Sequence, residues 1–211
     1  MAYFTIGILV AYLAGSIPFG IIVTRLVKGV DVRDFGSGST GFTNVYRVTG
    51  APPALVVAAL DIAKGFVAVY IVAPLLFESA VGLPLIQFQI ICGSASVIGH
   101  IFTIFARFRG GKGVLTALGV CVALLPVEVA IAVAVFGVVF AVTRFISAGS
   151  LAGAASLPIS VLTETYALGR KIEVELLVFT IILAIVIFYA HRDNIKRLVK
   201  GEENKFKRVG P

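Results

Sequence analysis

Long runs of apolar residues limit what this chain can fold into, because each run is suited to a lipid environment. A helix needs about 17–25 apolar residues to cross the hydrocarbon core of a bilayer. Seven runs reach or approach that length, at residues 3–24, 52–76, 85–105, 114–125, 127–143, 145–162 and 174–190. Charged residues make up only 14% of the chain, against about 25% in an ordinary soluble domain. The sequence therefore predicts an all-α integral membrane protein with seven transmembrane segments.

The placement of the basic residues predicts how these segments cross the membrane. The 18 Lys and Arg residues exceed the 11 Asp and Glu residues, giving a net charge of +7. Most of the basic residues fall in 25–47, in 107–112 and after residue 190. Dividing the stretch 114–143 at Pro126 puts these regions on one side, as the positive-inside rule expects, whereas one long span would separate them. We therefore expect short or tilted fourth and fifth segments, an outside N-terminus and a cytoplasmic C-terminus.

Composition also disfavours several classes of ligand. The basic residues lie between apolar runs, a pattern typical of contact with anionic lipid or an anionic substrate rather than with nucleic acid. Two histidines, few loop carboxylates and no cysteine cluster make a metal site improbable, and Cys92 and Cys121 are interpreted as packing residues. No long repeat or low-complexity linker divides the chain, so residues 1–211 are predicted to form a single polytopic membrane domain.

A glycine-rich polar stretch follows the first segment, where residues 36–47 read GSGSTGFTNVYR. Glycine lets the backbone bend so that consecutive N–H groups converge on an anion, which makes the stretch a candidate phosphate nest. Arg47 adds a planar guanidinium that matches phosphate oxygens. The alternative is an ordinary flexible loop between two helices.

A second glycine-rich stretch follows the third segment, where residues 107–113 read RFRGGKG. It is not a P-loop, because Lys112 is followed by Gly113 instead of Ser or Thr. A glycine-flanked lysine before a helix N-terminus still suits a phosphate, since free N–H groups and the helix dipole meet there. The alternative is a set of charges that only fixes topology. His100, near the end of the preceding segment, is a candidate ligand or catalyst, or else a structural hydrogen-bonding group.

Three further polar features interrupt the apolar pattern. The sequence HRDNIKRL at 191–198 places His191 and Asn194 on one face if the last helix continues, although it also suits a lipid head-group anchor. Asp61 and Lys64 lie three residues apart in the second segment and predict a structural ion pair, with a role near substrate as the alternative. The sequence GSIPFG at 15–20 predicts a kink or a close helix approach.

In their order along the chain, these motifs resemble those of the bacterial acyl-phosphate:glycerol-3-phosphate acyltransferases, the PlsY family. The resemblance rests on 15–20, 36–47, Gly99-His100 with 110–113, and 191–198, and it covers essentially the whole chain. It implies a seven-helix enzyme of the cell inner membrane with its active site facing the cytoplasm. The implied reaction joins an acyl group from acyl phosphate to glycerol 3-phosphate, giving lysophosphatidic acid for phospholipid synthesis, without acyl-CoA or acyl carrier protein as donor.

The resemblance also implies which residues act on the substrates. The catalytic positions correspond to Ser37, Arg47, Lys112, His191 and Asn194. Further contacts with the substrate phosphates are expected from Gly36, Gly38, Ser39, Thr43, Asn44, His100, Gly110, Gly111 and Gly113. Two phosphate-bearing substrates held side by side need several cations and N–H donors, which this set supplies. No metal and no other cofactor is expected.

The identity of the base stays open among His100, His191 and an oxygen of the acyl phosphate, and the resemblance favours the substrate oxygen. Neither histidine is followed five residues later by Asp, so the His-x₄-Asp device of other glycerolipid acyltransferases is absent. Ser39 and Phe42 depart from the family pattern, which usually has Asn and a small residue there. The Ser39 hydroxyl keeps a hydrogen-bonding group, so we expect activity to be retained.

Two other classes of protein compete with an enzyme. A small transporter of organic anions would also have a cationic vestibule, but it should show paired repeats or polar residues through the bundle centre. Only Asp61 and Lys64 interrupt the apolar segments in that way. A lipid-binding scaffold would bind without turnover, and it would not need three glycine-rich or histidine-bearing motifs on one face.

Overall fold

The computed structural model describes residues 2–77 and 82–206, and all regular elements within these ranges are helical. The α-helices are α1 Ala2–Ser16, α2 Phe19–Lys28, α3 Phe42–Thr49, α4 Ala51–Val67, α5 Ala73–Leu75, α6 Leu85–Ile101, α7 Val114–Leu124, α8 Pro126–Thr143, α9 Ile146–Tyr166, α10 Val174–Ala190 and α11 Arg192–Val199. Short 3₁₀ turns occur at Val32–Asp34 and Ile104–Ala106, and a π-helical turn joins α4 to α5 at Ala68–Val72. The prediction of an all-α protein is confirmed. Lys207 and Arg208, part of the basic tail in the sequence interpretation, lie outside the described residues.

Five helical stretches in the described ranges are long and apolar enough to cross a membrane. They are Ala2–Lys28, Ala51–Leu75, Leu85–Ala106, Pro126–Thr143 and Ile146–Tyr166. A sixth results if α10 and α11, which meet at 64°, form one bent span. Helix α7 is apolar but has only 11 residues, in agreement with the short fourth segment expected from sequence. The total of seven segments and their orientation stay predictions.

The break between α1 and α2 occurs at the GSIPFG motif, as the sequence predicts. Pro18 lacks an N–H, so the helical hydrogen-bond ladder cannot continue through it, and its carbonyl instead accepts from Ile21 and Ile22 at the start of α2. Just before the break, Gly15 lies against the backbone of Ser96 in α6, where a Cβ would overlap main-chain atoms. The motif therefore provides both a break and a close helix approach.

The described residues group into two compact units, one ending at Ala123 and the other spanning Leu124–Phe206. In the first unit, α4 and α7 meet through backbone contacts at two glycines. A Cβ on Gly65 would overlap the Thr116 carbonyl, and a Cβ on Gly119 would overlap the Ile62 carbonyl. Small residues of this kind let membrane helices approach closely. That residues 1–211 form a single membrane domain stays a prediction from the sequence.

The second unit is built on the pair α8 and α9, with α10 packed against α9. Gly149 of α9 lies against the Phe136 ring and backbone of α8, which again leaves no room for a side chain. After α11 the chain returns to this pair, where the Phe206 N–H donates to the Arg144 carbonyl at 3.0 Å. The tail is therefore fixed to the loop between α8 and α9.

Candidate active site

The first glycine-rich loop, residues 36–41, is shaped by the buried side chain of Asn44 in the first turn of α3. The Asn44 amide nitrogen donates to the carbonyls of Val32 at 2.8 Å, Phe35 at 3.0 Å and Ser39 at 2.9 Å. Its oxygen accepts from the Ser37 N–H at 3.0 Å. These bonds hold the chain on both sides of the loop to one residue. Asn44 thus organises the loop, and its predicted contact with substrate phosphate stays a prediction.

The loop's backbone differs from the phosphate nest that the sequence predicts. Gly36 and Gly38 adopt the left-handed φ values of +58° and +67°, as a tight bend requires. However, the Ser37 N–H donates to Asn44, the Gly38 N–H donates to the Phe35 carbonyl, and the Gly41 N–H donates to the Ser39 hydroxyl. These three donors are already used within the loop. Anion binding at this loop, which stays a prediction, therefore falls mainly to side chains.

Arg47 is the cation that follows this loop, and α3 holds it in a buried position with 9% of its surface exposed. Its side-chain stem lies beside Gly36, where a Cβ would come within 3.8 Å of the Arg47 Cδ. Thr43 is half-buried one helical turn before it, on the same face of α3. Ser37, by contrast, is exposed in the loop. The structure thus places the predicted residues Ser37, Thr43 and Arg47 on one loop–helix segment.

Arg33, which sequence reasoning missed, pairs with Asp31 and connects the two glycine-rich regions through a hydrogen bond to Ala106. Arg33 donates from Nε and Nη2 to both carboxylate oxygens of Asp31 at 3.0 and 2.8 Å, and from Nη1 to the Ala106 carbonyl at 3.0 Å. The hydrogen bonds donated by the Arg33 side chain lower the pKa of the Asp31 carboxyl to about 2, against the opposing effect of its burial. The chain before the first loop is therefore fixed to the turn that begins the second.

We expect Asp31→Asn to destabilise the protein by about 1–2 kcal/mol at neutral pH, because the ionised carboxylate holds Arg33. The Asp31 pKa in the folded state is about 2, below the value of about 3.9 in an unfolded chain. This stabilisation is thus present above pH 4 and is lost as the pH falls toward 2. Thermal unfolding in detergent at several pH values should show that the difference in melting temperature between wild type and variant becomes smaller below pH 4. The exposed Asp193→Asn is the matched control, and a difference that does not change with pH would contradict the assignment.

The second glycine-rich loop lies against the end of α6. The Gly110 N–H donates to the Ile101 carbonyl and the Gly111 N–H donates to the His100 carbonyl, both at 3.1 Å. A Cβ on Gly110 would overlap the His100 carbonyl, and one on Gly111 would overlap the His100 ring. These two glycines are therefore explained by close packing, and their N–H groups are used by the protein. Their predicted contact with phosphate is not supported by this geometry.

Lys112 occupies the position that the sequence predicts, directly before a helix. Gly113 has φ of +80°, and α7 begins at Val114. The Gly113 carbonyl accepts from the Ala117 N–H at 2.7 Å and so caps the first turn of α7. Lys112 is half-buried between the packed Gly110–Gly111 segment and this helix. A cation beside a helix N-terminus is well suited to a phosphate group.

The predicted ion pair in the second segment is confirmed, and it includes a third partner. Lys64 Nζ lies 2.7 Å from Asp61 Oδ1 and 2.8 Å from His100 Nδ1, while Asp61 Oδ1 and His100 Nδ1 are 3.4 Å apart. All three side chains are buried. Lys64 also donates to the Ile17 carbonyl at 3.2 Å. His100 is thus held in a buried charged cluster, which disfavours its prediction as a base.

The C-terminal motif lies in the second unit, where His191 occupies the bend between α10 and α11. The condition of a continuous helix is not met, because the chain turns by 64° at this residue. His191 is buried, and its Nδ1 lies 2.9 Å from the Ile187 carbonyl. We assign the Nδ1 hydrogen to this bond, so that Nε2 is the nitrogen that accepts in the neutral ring.

Glu203 organises the polar residues that follow this bend, and sequence reasoning missed it. One oxygen accepts from Ser147 at 2.9 Å and Asn194 at 2.7 Å, and the other accepts from Arg197 at 2.8 Å. Burial opposes ionisation, but the hydrogen bonds from these three donors together lower the pKa of the Glu203 carboxyl below its usual value. The adjacent carboxylates Glu202 and Glu203 in a basic tail were the available signal. Asn194, predicted as catalytic, is thus fixed by Glu203.

Within the described ranges, no group of three or more His, Cys, Asp and Glu side chains is arranged to hold a metal ion. The two cysteines, Cys92 and Cys121, are buried and not disulfide-bonded, as their position in apolar runs predicts.

Comparison with known proteins identifies the family of the chain. Residues 5–201 match the family model described as glycerol-3-phosphate acyltransferase. The chain is 40% identical to the glycerol-3-phosphate acyltransferase of Chlorobaculum tepidum, with 94% of each chain covered. It is also 40% identical to the enzyme of that name from Endomicrobium trichonymphae, with 95% of this chain and 94% of the relative covered.

The fold is similar to solved structures of one protein in two forms. The first is the crystal structure of PlsY (YgiH), an integral membrane glycerol 3-phosphate acyltransferase, in its glycerol 3-phosphate form, with a TM-score of 0.83, 36% identity, and 97% of this chain and 96% of that chain covered. The second is its lysophosphatidic acid form, with a TM-score of 0.81, 35% identity, and 98% and 96% covered. The family predicted from the motifs is confirmed: this chain belongs to the glycerol-3-phosphate acyltransferase family.

Proposed function

We propose that the protein transfers a fatty acyl group from acyl phosphate to the primary hydroxyl of glycerol 3-phosphate, releasing lysophosphatidic acid and phosphate. The observation that carries this proposal is the association of two glycine-rich segments, each bearing a cation. Arg47 is held beside the first loop, Lys112 follows the second, and the hydrogen bond from Arg33 to Ala106 connects the two regions. Two neighbouring cationic segments suit two phosphate-bearing substrates.

The proposed roles follow from the chemistry of an acyl phosphate, whose mixed anhydride is already activated. Arg47 and Lys112 neutralise the phosphates, and Ser37 and Thr43 donate hydroxyl hydrogen bonds to them. Holding the acceptor hydroxyl against the acyl carbon could by itself contribute about 7–11 kcal/mol of the lowered barrier. The acyl carbon–oxygen bond to phosphate breaks as the new ester bond forms. An oxygen of the acyl phosphate takes the hydroxyl proton.

His191 and Asn194, in the second unit, are proposed as further catalytic residues, as the family resemblance implies. The accepting Nε2 of His191 and the amide of Asn194, fixed by Glu203, suit hydrogen bonds to a phosphate or hydroxyl. A neutral His191 is an alternative acceptor for the hydroxyl proton. In keeping with the positive charges in its polar loops, we place the enzyme in the cell inner membrane with this site facing the cytoplasm.

The donor is tested by supplying purified protein in liposomes with labelled glycerol 3-phosphate and either palmitoyl phosphate or palmitoyl-CoA. We expect labelled lysophosphatidic acid from palmitoyl phosphate alone. Product from palmitoyl-CoA alone would overturn the proposed donor while keeping the acyltransferase family. No product from either donor, in protein shown to be folded, would favour transport of the organic anion, which uptake of unmodified label into the vesicle lumen would reveal.

A further inference from the structure

The buried cluster of Asp61, Lys64 and His100 has no role in the reaction proposed above. Its side chains come from α4 and α6, within helical stretches apolar enough to cross a membrane. Lys64 and Asp61 have side chains only 5% and 2% exposed, and His100 is 6% exposed. Charged groups at such positions are costly and normally mark a functional or positioning role. Their neighbours indicate what they position.

One ring nitrogen of His100 contacts Lys64, and the other lies against the second glycine-rich loop. Because the Lys64 ammonium is only a donor, Nδ1 of His100 accepts its hydrogen bond, and we assign the ring hydrogen to Nε2. Nε2 lies so close to Gly111 that a Cβ there would overlap it. The His100 carbonyl also accepts from the Gly111 N–H at 3.1 Å. One residue therefore holds Gly111, the immediate neighbour of Lys112, by both its ring and its backbone.

The cluster is in turn fixed to the break between α1 and α2. Lys64 donates to the Ile17 carbonyl at 3.2 Å, and its ammonium lies 5.6 Å from the centre of the Phe19 ring. The three buried side chains line a narrow cleft with Thr40 of the first glycine-rich loop and Gly20 of α2. Gly20 packs directly on the Thr40 carbonyl. The cluster thus supports elements that lead to both loops.

We propose that Asp61, Lys64 and His100 are positioning residues that fix the Gly110–Gly111 segment and thereby set the place of the Lys112 cation. The inference rests on the proposed function, because it assigns Lys112 to a substrate phosphate. The ion pair orients the His100 ring, and the ring holds Gly111 in place. Gly111 in turn fixes the backbone position of Lys112. Glycine is required at 111 because the ring occupies the space of a side chain.

His100→Asn separates positioning from charge balance. The Asn oxygen can still accept from Lys64, but the shorter side chain does not reach Gly111. We expect KM for at least one phosphate substrate to rise by roughly 10- to 100-fold, with a smaller change in kcat, because a displaced Lys112 weakens phosphate binding. Hydrogen exchange in detergent should show faster exchange of the Gly110 and Gly111 amides. This second readout does not depend on turnover.

Cys92→Ala provides the matched control, since Cys92 is buried in α6 about two turns before His100 and lies in an apolar cluster. It should lower the melting temperature without changing KM or amide exchange at residues 110–111. If Cys92→Ala reproduced the KM and exchange changes of His100→Asn, these would reflect general loosening, and the proposal would be overturned. Unchanged KM and exchange in folded His100→Asn would overturn it as well.

A double-mutant cycle tests the route through Gly111. Gly111→Ala introduces a methyl group that collides with the His100 ring, and we expect a KM increase comparable to that of His100→Asn. In the double variant the shorter Asn makes room for the methyl group, so the KM should match that of His100→Asn alone. If the KM increases of the two single variants multiply in the double variant, the two residues act independently. That result would refute the contact between His100 and Gly111 as the route.

The role of the charges is tested by Asp61→Asn with Lys64→Met, which removes both charges together and avoids leaving one buried ion unpaired. We expect the same rise in KM and the same faster exchange at Gly110 and Gly111. Normal values of both in a folded variant would overturn the role of the ion pair. Failure of the proposed function is distinguishable, because a Lys112→Ala protein with normal turnover would refute the role of Lys112 whatever the exchange data show.

Discussion

Arg47→Ala and Lys112→Ala are each expected to reduce turnover by at least about 10²–10³-fold while the protein still folds in detergent. Removing a single donor to a developing oxyanion typically has an effect of this size, and a lost cation beside a phosphate should have no smaller one. Arg47 is held beside the first glycine-rich loop and Lys112 directly before α7. The test measures the rate of product formation from palmitoyl phosphate and glycerol 3-phosphate. The melting temperature of each variant shows whether it is folded.

Two control variants make this result specific. Lys171→Ala removes a positive charge from an exposed position and should leave the rate unchanged. Arg47→Lys keeps the charge but loses the planar two-pronged contact, so it should fall between wild type and Arg47→Ala. Near-normal rates in either Arg47→Ala or Lys112→Ala would refute the proposed anion site. Rates in Arg47→Lys equal to wild type would show that charge alone is needed.

Asn44→Ala is expected to lower stability by about 2–4 kcal/mol and to remove most activity, because it deletes the four hydrogen bonds through which Asn44 shapes the first glycine-rich loop. The Ser37 N–H and the carbonyls of Val32, Phe35 and Ser39 would lose their partner at once. Buried groups left without a hydrogen bond cost about 1–3 kcal/mol each, reduced where water can enter. Melting temperature and turnover should therefore fall together.

Asn44→Asp tests which part of the amide matters. The carboxylate can still accept from Ser37, but it repels the three carbonyls to which the amide nitrogen donates, so we expect it to be at least as damaging as alanine. Asn204→Ala, at an exposed position, should be neutral. An Asn44→Asp protein with wild-type stability and activity would show that the carbonyl contacts do not hold the loop.

Much of the helical architecture could be predicted from the sequence, because lipid solvation demands long apolar runs. The break at Pro18 and the start of α7 at Val114 also follow from local rules about proline and glycine. The apolar runs of the sequence did not predict α2 and α3 as separate short helices. Their ends at Gly29 and Gly50 depend on positive φ values within a polar stretch that the sequence interpretation treated as loop.

The sequence predicted the residue types of the candidate site better than it predicted their hydrogen bonds. Glycines pointed to a phosphate nest, but whether an N–H is available depends on the partners that the folded chain supplies. Asn44 takes the Ser37 N–H, and His100 takes the Gly111 N–H. These partners are seven and eleven residues away, beyond local sequence rules. Glu203 was missed for the same reason, since its donors include Ser147, 56 residues distant.

The hydrogen bonds inside the first glycine-rich loop bear on how tightly a small substrate can be held. A loop that becomes ordered only around its ligand spends part of the binding free energy on lost conformational entropy. Here the Ser37, Gly38 and Gly41 N–H groups are bonded within the protein, so that entropy is lost when the chain folds. At the proposed site, the attraction between a phosphate and Arg47 would then lose less of its free energy to ordering of the loop. If the proposed site is correct, folding has already met part of the cost of recognising a strongly hydrated phosphate.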